Sequence, residues 1–426
     1  MDNRIQSLMN FLDASPSVYH AVANLETELK TAGYTALFEG DSWNLVPGGK
    51  YYLTRGGSAI MAFRIPEGMP TGFMMTASHS DRPTFQVKEN GELAGAYTRL
   101  AVERYGGMLI APWLDRPLSV AGRVLVETEN GVESKLLNID KDLLMIPNVA
   151  IHMNRQANEG YKWNPAVDVL PLMGGKDAKG KFTAILEEAA GGKILGSDLF
   201  LYIRQKACIW GLEEEYVSSA ALDDLECAWG CTQGFLNAPA SSSIPVLCVF
   251  NNEEVGSSSS EGADSNLLSG LLERICDALN LDLYRMLARS YMVSADNAHA
   301  LHPNHPELAD PTNAPVLGAG VVLKFNAAQR YCTDGVSAAI FRKVCAKADV
   351  PVQTYCNRAD LPGGSTLGNI SLHHVSVPTA DIGLPQLAMH SCYETAAVKD
   401  ADYLVDAMAA FYGSSLEVSG NCYTLK

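Results

Sequence analysis

Five places in the chain set an imidazole or a carboxylate beside an apolar run. His79 and Asp81 close FMMTASHSD, Glu253 and Glu254 follow IPVLCVF, Asp296 follows SYMVSA, His390 follows LPQLA, and Asp223 stands at the head of LDDLECAWG. Singly, each has an ordinary explanation: an aspartate before a helix caps it, a glutamate pair can sit in solvent, and a histidine can be satisfied in a core. As a set they suggest convergence, because carboxylates at the ends of apolar strands are costly unless a cation or water neutralises them. The chemistry that needs such a set is hydrolysis by two metal ions about 3.5–4 Å apart, which hold a water and polarise a carbonyl. One carboxylate must bridge the ions, a histidine and a carboxylate must complete each, and a further carboxylate must carry the proton from water to leaving amine. In the His-x-Asp pair, Asp81 can orient the ring of His79. Two histidines with carboxylates and no cysteine favour zinc, and manganese or cobalt also suit these donors.

The elements that must position these residues read as a largely parallel α/β sheet interrupted by a β-rich insertion. Ser15-Pro16 opens a helix with Val18, Val22, Leu25 and Leu29 on one face, ended by Gly33. YYLTR (51–55) and SAIMAFRI (58–65) are strands joined through Gly56-Gly57. From 212 onward strand and helix patterns alternate: a helix in DDLECAWGCTQGFLNA, a strand in IPVLCVF, helices at 266–279 and 336–348, and a strand near 289–295. Between these parts the texture changes. RVLVETENG (123–131) alternates, and the glycine-rich GGKDAKGKF (174–182) also reads as part of a β module. The expected organisation is a discontinuous domain of residues 1–88 and 212–426 with an insertion at 89–211. In open α/β sheets functional residues gather at the carboxyl ends of the strands, where these residues fall.

A chain of 426 residues, 47% hydrophobic, has room for more than one domain. The formal charge of −16 argues against nucleic acid or an anionic membrane as partner. No apolar run is long enough to span a bilayer, and the first residues lack the pattern of a secretion signal, so a cytoplasmic location is expected. Cys227 and Cys231, four apart on a helix, read as buried thiols rather than metal ligands.

The strings SHSD, LDD, NEEVGS, SADNAHALHPN, LKFNAAQRY, DLPGGSTLG and DIGLPQLAMHS, in this order, resemble the aspartyl aminopeptidase family of dinuclear zinc exopeptidases, as do GGMLIAPWLDRPLSVAGRV and IPNVAIHMNR. The resemblance implies roles. His79, Asp223, Glu254, Asp296 and His390 would be zinc ligands, Asp223 bridging two ions, with Glu253 the general base and Asp81 the partner of His79. The insertion would be the family's dimerisation domain, dimers would assemble into a dodecamer, and His152 would reach a neighbouring subunit's active site. Lys324 would receive an acidic side chain of the substrate, and the backbone around Gly364 would approach it. Lys324 otherwise reads as a surface lysine at a strand end, and the Gly364 loop as a plain strand-to-helix turn. Two departures stand out: Asp224 follows the bridging residue where the family usually has Asn, and Asn252 stands where it usually has His. Asp115, in WLDRPL, falls in a segment of the family that holds no ligand. The function implied is release of N-terminal residues, acidic ones included, from peptides. The alternatives are a two-zinc amidohydrolase or dipeptidase, and a binding scaffold with a dead site.

Overall fold

The computed structural model describes residues 3–426; Met1 and Asp2, where the N-terminal reading begins, lie outside the described residues. Its architecture is mixed α/β with several sheets. The largest has nine strands, in the order Thr35–Ala36, Lys50–Arg55, Ala59–Arg64, Ile244–Phe250, Phe73–His79, Tyr291–Ala295, Thr379–Gly383, Val321–Phe325, Val352–Cys356. The four strands from Ile244–Phe250 to Thr379–Gly383 run parallel. All four are buried at every residue, as strands covered by helices on both faces must be. Phe250 pairs with His79 and Ala295 with Ile382, so these strands end level and release their next residues at one edge.

Two apolar cores flank this sheet. On one side the helix Leu222–Asn237 packs against Val398–Tyr412, with Trp229, Phe235 and Phe411 fully buried. On the other, Leu267–Leu279 covers Phe63, Phe73 and Phe250. The first expected helix forms as Val18–Thr31, with Ser17 at its N-cap.

A second, six-stranded sheet is built from 84–203 and encloses its own core around Phe85, Trp113 and Leu201. One expectation for this region needs correction. GGKDAKGKF is not simply β: after Leu172–Gly175 the chain turns and enters the helix Lys181–Ala190, whose Phe182, Leu186 and Ala190 pack into that core. Of the glycines in that string, Gly174 and Gly175 do lie in a strand, but Gly180 heads the helix, which Gly191 ends, both with left-handed φ. Among the described residues no helix is long and apolar enough to cross a membrane.

Candidate metal centre

The level strand ends bring the expected residues together. His79 is the last residue of its strand, Asp296 directly follows Tyr291–Ala295, and Glu253 and Glu254 sit in a short turn of helix after Phe250. His390 comes from the loop after Pro385–Leu387. Asp223 arrives from the head of Leu222–Asn237, though not as its cap: Ala221 occupies that place, and Asp223 keeps non-helical angles (φ −82°, ψ 110°) that free its side chain to turn inward. Ligand atoms of three groups lie within 4.8 Å of one another: His79 with Asp223, Asp224 and Asp296; His79 with Glu253 and Glu254; and Asp223 with Glu254 and His390.

Asp223 lies between the two imidazoles. Its Oδ1 is 3.5 Å from His79 Nε2 and its Oδ2 is 3.4 Å from His390 Nε2, which is also 3.4 Å from Glu254 Oε2. These separations are long for hydrogen bonds. They match two ligands about 2.0–2.1 Å from a shared tetrahedral cation, which stand about 3.4 Å apart. Asp223 Oδ1, Asp224 Oδ1 and Glu254 Oε1 are buried without a hydrogen-bond partner, a state that buried acceptors avoid unless something else satisfies them. The donor set therefore fits cations.

The charges make the same point. Burial pushes Asp224 and Glu254 well above the carboxylate range and Glu253 up to about 8, and it raises Asp296 despite the nearby ammonium of Lys324. Burial would raise Asp223 too, but the imidazoles of His390 and His79 beside it bring it below its usual value. For His390 burial works downward, and Asp223 outweighs it, leaving the ring at about 8. So many buried acids in one place call for positive charge.

Around the candidate ligands runs a supporting layer, of which sequence reading named Asp81 and Asp224 but not Tyr105 or Glu394. Asp81 accepts the backbone N–H of Glu253 (3.1 Å) and of Glu254 (3.2 Å), and its Oδ1 stands 3.3 Å from His79 Nδ1. Its Oδ2 also accepts the hydroxyl of Tyr105 at 2.6 Å. Burial and the charge of Asp81 both raise the pKa of that phenol, so it stays a donor. Glu394 accepts the backbone N–H of Asp223 (3.0 Å) and of His390 (2.7 Å), tying two distant candidate ligands to one side chain. Asp224 accepts the backbone N–H of His79 at 3.0 Å. Glu394 lies four residues beyond His390, near enough to have been suspected; Tyr105, at the end of a strand of the six-stranded sheet, gave no sequence signal.

The other singled-out residues fall elsewhere. Lys324 is not a surface lysine: it is buried, donating to the carbonyls of Asp296 (2.7 Å) and Asn297 (3.3 Å), with the Asp296 carboxylate 3.6 Å away. Gly364 lies in the loop before the helix Leu367–Ser371, where a Cβ would meet nothing nearer than the Tyr331 hydroxyl at 4.0 Å. His152 is exposed on a turn of the second sheet's module. Asp115 accepts from Asn148 through both oxygens, away from the cluster. Cys227 is buried and donates to Asn297 at 3.0 Å, and neither it nor Cys231 joins a candidate ligand group among the described residues.

Residues 11–412 match the family model described as aminopeptidase I zinc metalloprotease (M18). A probable M18 family aminopeptidase 2 from Clostridium novyi is 43% identical over 97% of this chain and 100% of its own length. Among solved structures, a chain from the complex of Ape4 with Nbr1 superposes with a TM-score of 0.93 at 34% identity, covering 96% of this chain and 85% of that one. The S. cerevisiae mApe1 dodecamer superposes with a TM-score of 0.85 at 25% identity, covering 96% of each chain. Matched along nearly its whole length by model and relative alike, the chain belongs to the M18 family and is a zinc-dependent aminopeptidase.

Proposed function

We propose that the enzyme binds two zinc ions through five side chains and removes one residue at a time from the amino ends of peptides. His79, Asp223 and Asp296 would hold one ion, and Asp223, Glu254 and His390 the other. The observation that carries this reading is Asp223 with one oxygen toward each imidazole. Bound there, the ions would acidify a water and polarise the first peptide carbonyl. Manganese or cobalt would satisfy the same donors.

The chain's own residues supply the rest. Glu253 takes the proton of the attacking water and returns it to the leaving amine. Its carboxylate accepts no hydrogen bond from the chain among the described residues, and its backbone is pinned by Asp81, so it is held in place yet free to accept a proton. Asp81 keeps the ring of His79 turned so that Nε2 faces the metal side. The surplus of carboxylates suits the ammonium of a free N-terminus.

Preference for an acidic first residue is proposed through Lys324. A substrate carboxylate would share that ammonium with the Asp296 and Asn297 carbonyls it already serves. The backbone around Gly364 would line the approach, where Gly leaves space. We also propose that residues 89–211 form an inserted dimerisation domain and that dimers build a dodecamer like that of the mApe1 relative. His152 would then reach a neighbour's site; the exposed Val149, Ile151 and Met153 around it are the apolar surface such a contact would cover. None of the ten cysteines is paired, which suits a reducing cytoplasm.

The test is release of free amino acids from unblocked peptides, with N-acetylated copies left intact and chelation abolishing turnover. Cleavage of the acetylated copies would instead make the enzyme an amidohydrolase of another kind. A panel of Asp, Glu, Leu and Lys aminoacyl substrates measures preference.

A further inference from the structure

The inserted module does not merely lie beside the metal centre: its segment 105–109 touches three parts of it. Tyr105, the last residue of the strand Tyr97–Tyr105, donates to Asp81 Oδ2 at 2.6 Å. Gly106, at φ +78°, passes so close to Glu254 that a Cβ would come within 3.1 Å of the glutamate's own Cβ. Leu109 N–H donates to the carbonyl of His390 at 3.0 Å. The end of one strand of a separate sheet and the loop after it therefore brace residues from three loops, two that follow strands of the nine-stranded sheet and one that follows Pro385–Leu387.

The hydrogen bonds through Tyr105 have a fixed sense. Ser259 donates to Asn252 Oδ1 at 2.8 Å, the Asn252 amide Nδ2 donates to the Tyr105 hydroxyl at 2.8 Å, and that hydroxyl donates to Asp81. An amide NH2 can only donate, so the tyrosine oxygen must accept on that side and direct its single proton to Asp81. A short O–H···O⁻ bond of this kind is a strong one. Asp81 is the point at which the ring of His79 and the backbone of Glu253 and Glu254 are all set.

We propose that Tyr105 is a positioning residue of the metal centre, acting from the inserted module through Asp81, and that Asn252 fixes the direction of its hydrogen bond. The departure from the family's usual His at position 252 thereby acquires a function: a neutral imidazole presents a donor in only one tautomer, whereas the amide always does. The inference rests on the two-ion reading above.

Tyr105→Phe removes only the hydroxyl. The ring keeps its edge-on packing against Phe200, with centroids 5.5 Å apart, so the fold should persist and the chelated variant should melt at the wild-type temperature. Zinc-loaded wild type, Y105F, Asn252→Asp and Glu254→Gln are titrated with a chelator of known affinity while zinc release, kcat and KM are followed. Loss of a partner behind a metal ligand costs about 10–100-fold in metal affinity or activity. Y105F should therefore release one of its two ions about 10–100-fold more readily and lose kcat by a similar factor, with KM within about twofold; a role in fold alone would lower the melting temperature of the chelated protein instead. N252D has the same shape but draws the tyrosine's proton away from Asp81, so it should also release zinc more readily, although added negative charge alone would tighten binding. Y105F that holds both ions and turns over like wild type overturns the proposal, and tighter zinc in N252D overturns the assigned direction. E254Q separates the two levels: if it keeps both ions the two-ion reading itself fails, whereas if it drops one while Y105F does not, only the role of Tyr105 is lost.

Discussion

Replacing Glu253 by Gln separates the proposed proton carrier from the proposed metal ligands. The two side chains are alike in shape, and the backbone N–H that Asp81 holds at 3.1 Å is untouched, so position 253 should stay where it is. What changes is the capacity to take a proton. A carboxylate held here can take up a proton from water, whereas an amide has no such capacity. A positioned base contributes about 10²–10⁴-fold, equivalent to about 3–5 kcal/mol of barrier. The proposed ligand groups, Asp223–Glu254–His390 and His79–Asp223–Asp296, do not include Glu253, so on that reading both ions should remain. A third group does join Glu253 to His79 and Glu254, which makes metal content the decisive control. The assay is kcat and KM on an unblocked peptide together with zinc per subunit. We expect kcat to fall by about 10²–10⁴ with KM little changed and zinc retained. Loss of an ion along with activity would make Glu253 a ligand instead, and wild-type kcat would remove it from the mechanism.

Glu394→Gln leaves one oxygen for two backbone N–H groups, those of Asp223 and His390, and turns an NH2 toward one of them. Leaving such a buried donor unmet costs about 1–3 kcal/mol, so the variant should melt lower and bind zinc more weakly, as calorimetry and chelator competition would show; unchanged values would deny Glu394 its bracing role. His20 is partly buried beside Ser17, and burial, with Arg82 nearby, lowers its pKa to about 4. Its folded pKa lies below the unfolded value of about 6.5, so the unfolded chain alone takes up a proton between these values. Stability should thus be complete above about pH 6.5 and decline toward pH 4, by about 1–2 kcal/mol once partial exposure is discounted. His20→Asn should flatten that decline in urea melts at pH 5 and 7, and an unchanged pH difference would refute the assignment. In zinc-stripped protein Glu253 and Glu394, both at about 8, keep protons that the unfolded chain loses near pH 4.5. Stability of the stripped form should therefore fall as pH rises through 8, and the gap in melting temperature between loaded and stripped protein should widen from pH 6 to pH 8.5. A gap that narrows would count against the buried acids as its source.

What the sequence made legible was whatever depends on short-range pattern. Apolar runs such as FMMTAS and IPVLCVF show where buried strands lie, and the polar residue that ends each run shows where the chain leaves the sheet, so His79, Glu253, Glu254 and Asp296 could be read as neighbours before any coordinates. Asp223 was found from its place at a helix head, but its conformation was not, because nothing in LDD reveals that the capping place belongs to Ala221. Apart from the resemblance, Lys324 reads as exposed for a related reason: a lysine is buried only when distant groups serve it, and the Asp296 and Asn297 carbonyls are nearly thirty residues away. The helix at Lys181–Ala190 was hidden by glycines whose left-handed φ marks helix ends rather than hairpin turns.

Tyr105 shows the limit most clearly. Its importance comes from where a strand of one sheet ends against a loop of another, a relation between residues 105, 81 and 252 that no local period encodes. The charged residues at the strand ends are conspicuous because burying them is costly, whereas a tyrosine at a strand end is commonplace. The residues that hold such a site in place therefore escape a search for unusual chemistry, and they are found only by asking, for each buried acid, which donors it faces. At Asp81 the answer leads out of the nine-stranded sheet to a strand of the six-stranded one, so the proposed metal geometry depends on how that second sheet is seated, and a contact that shifted residues 105–109 would be felt at His79, Glu254 and His390 together.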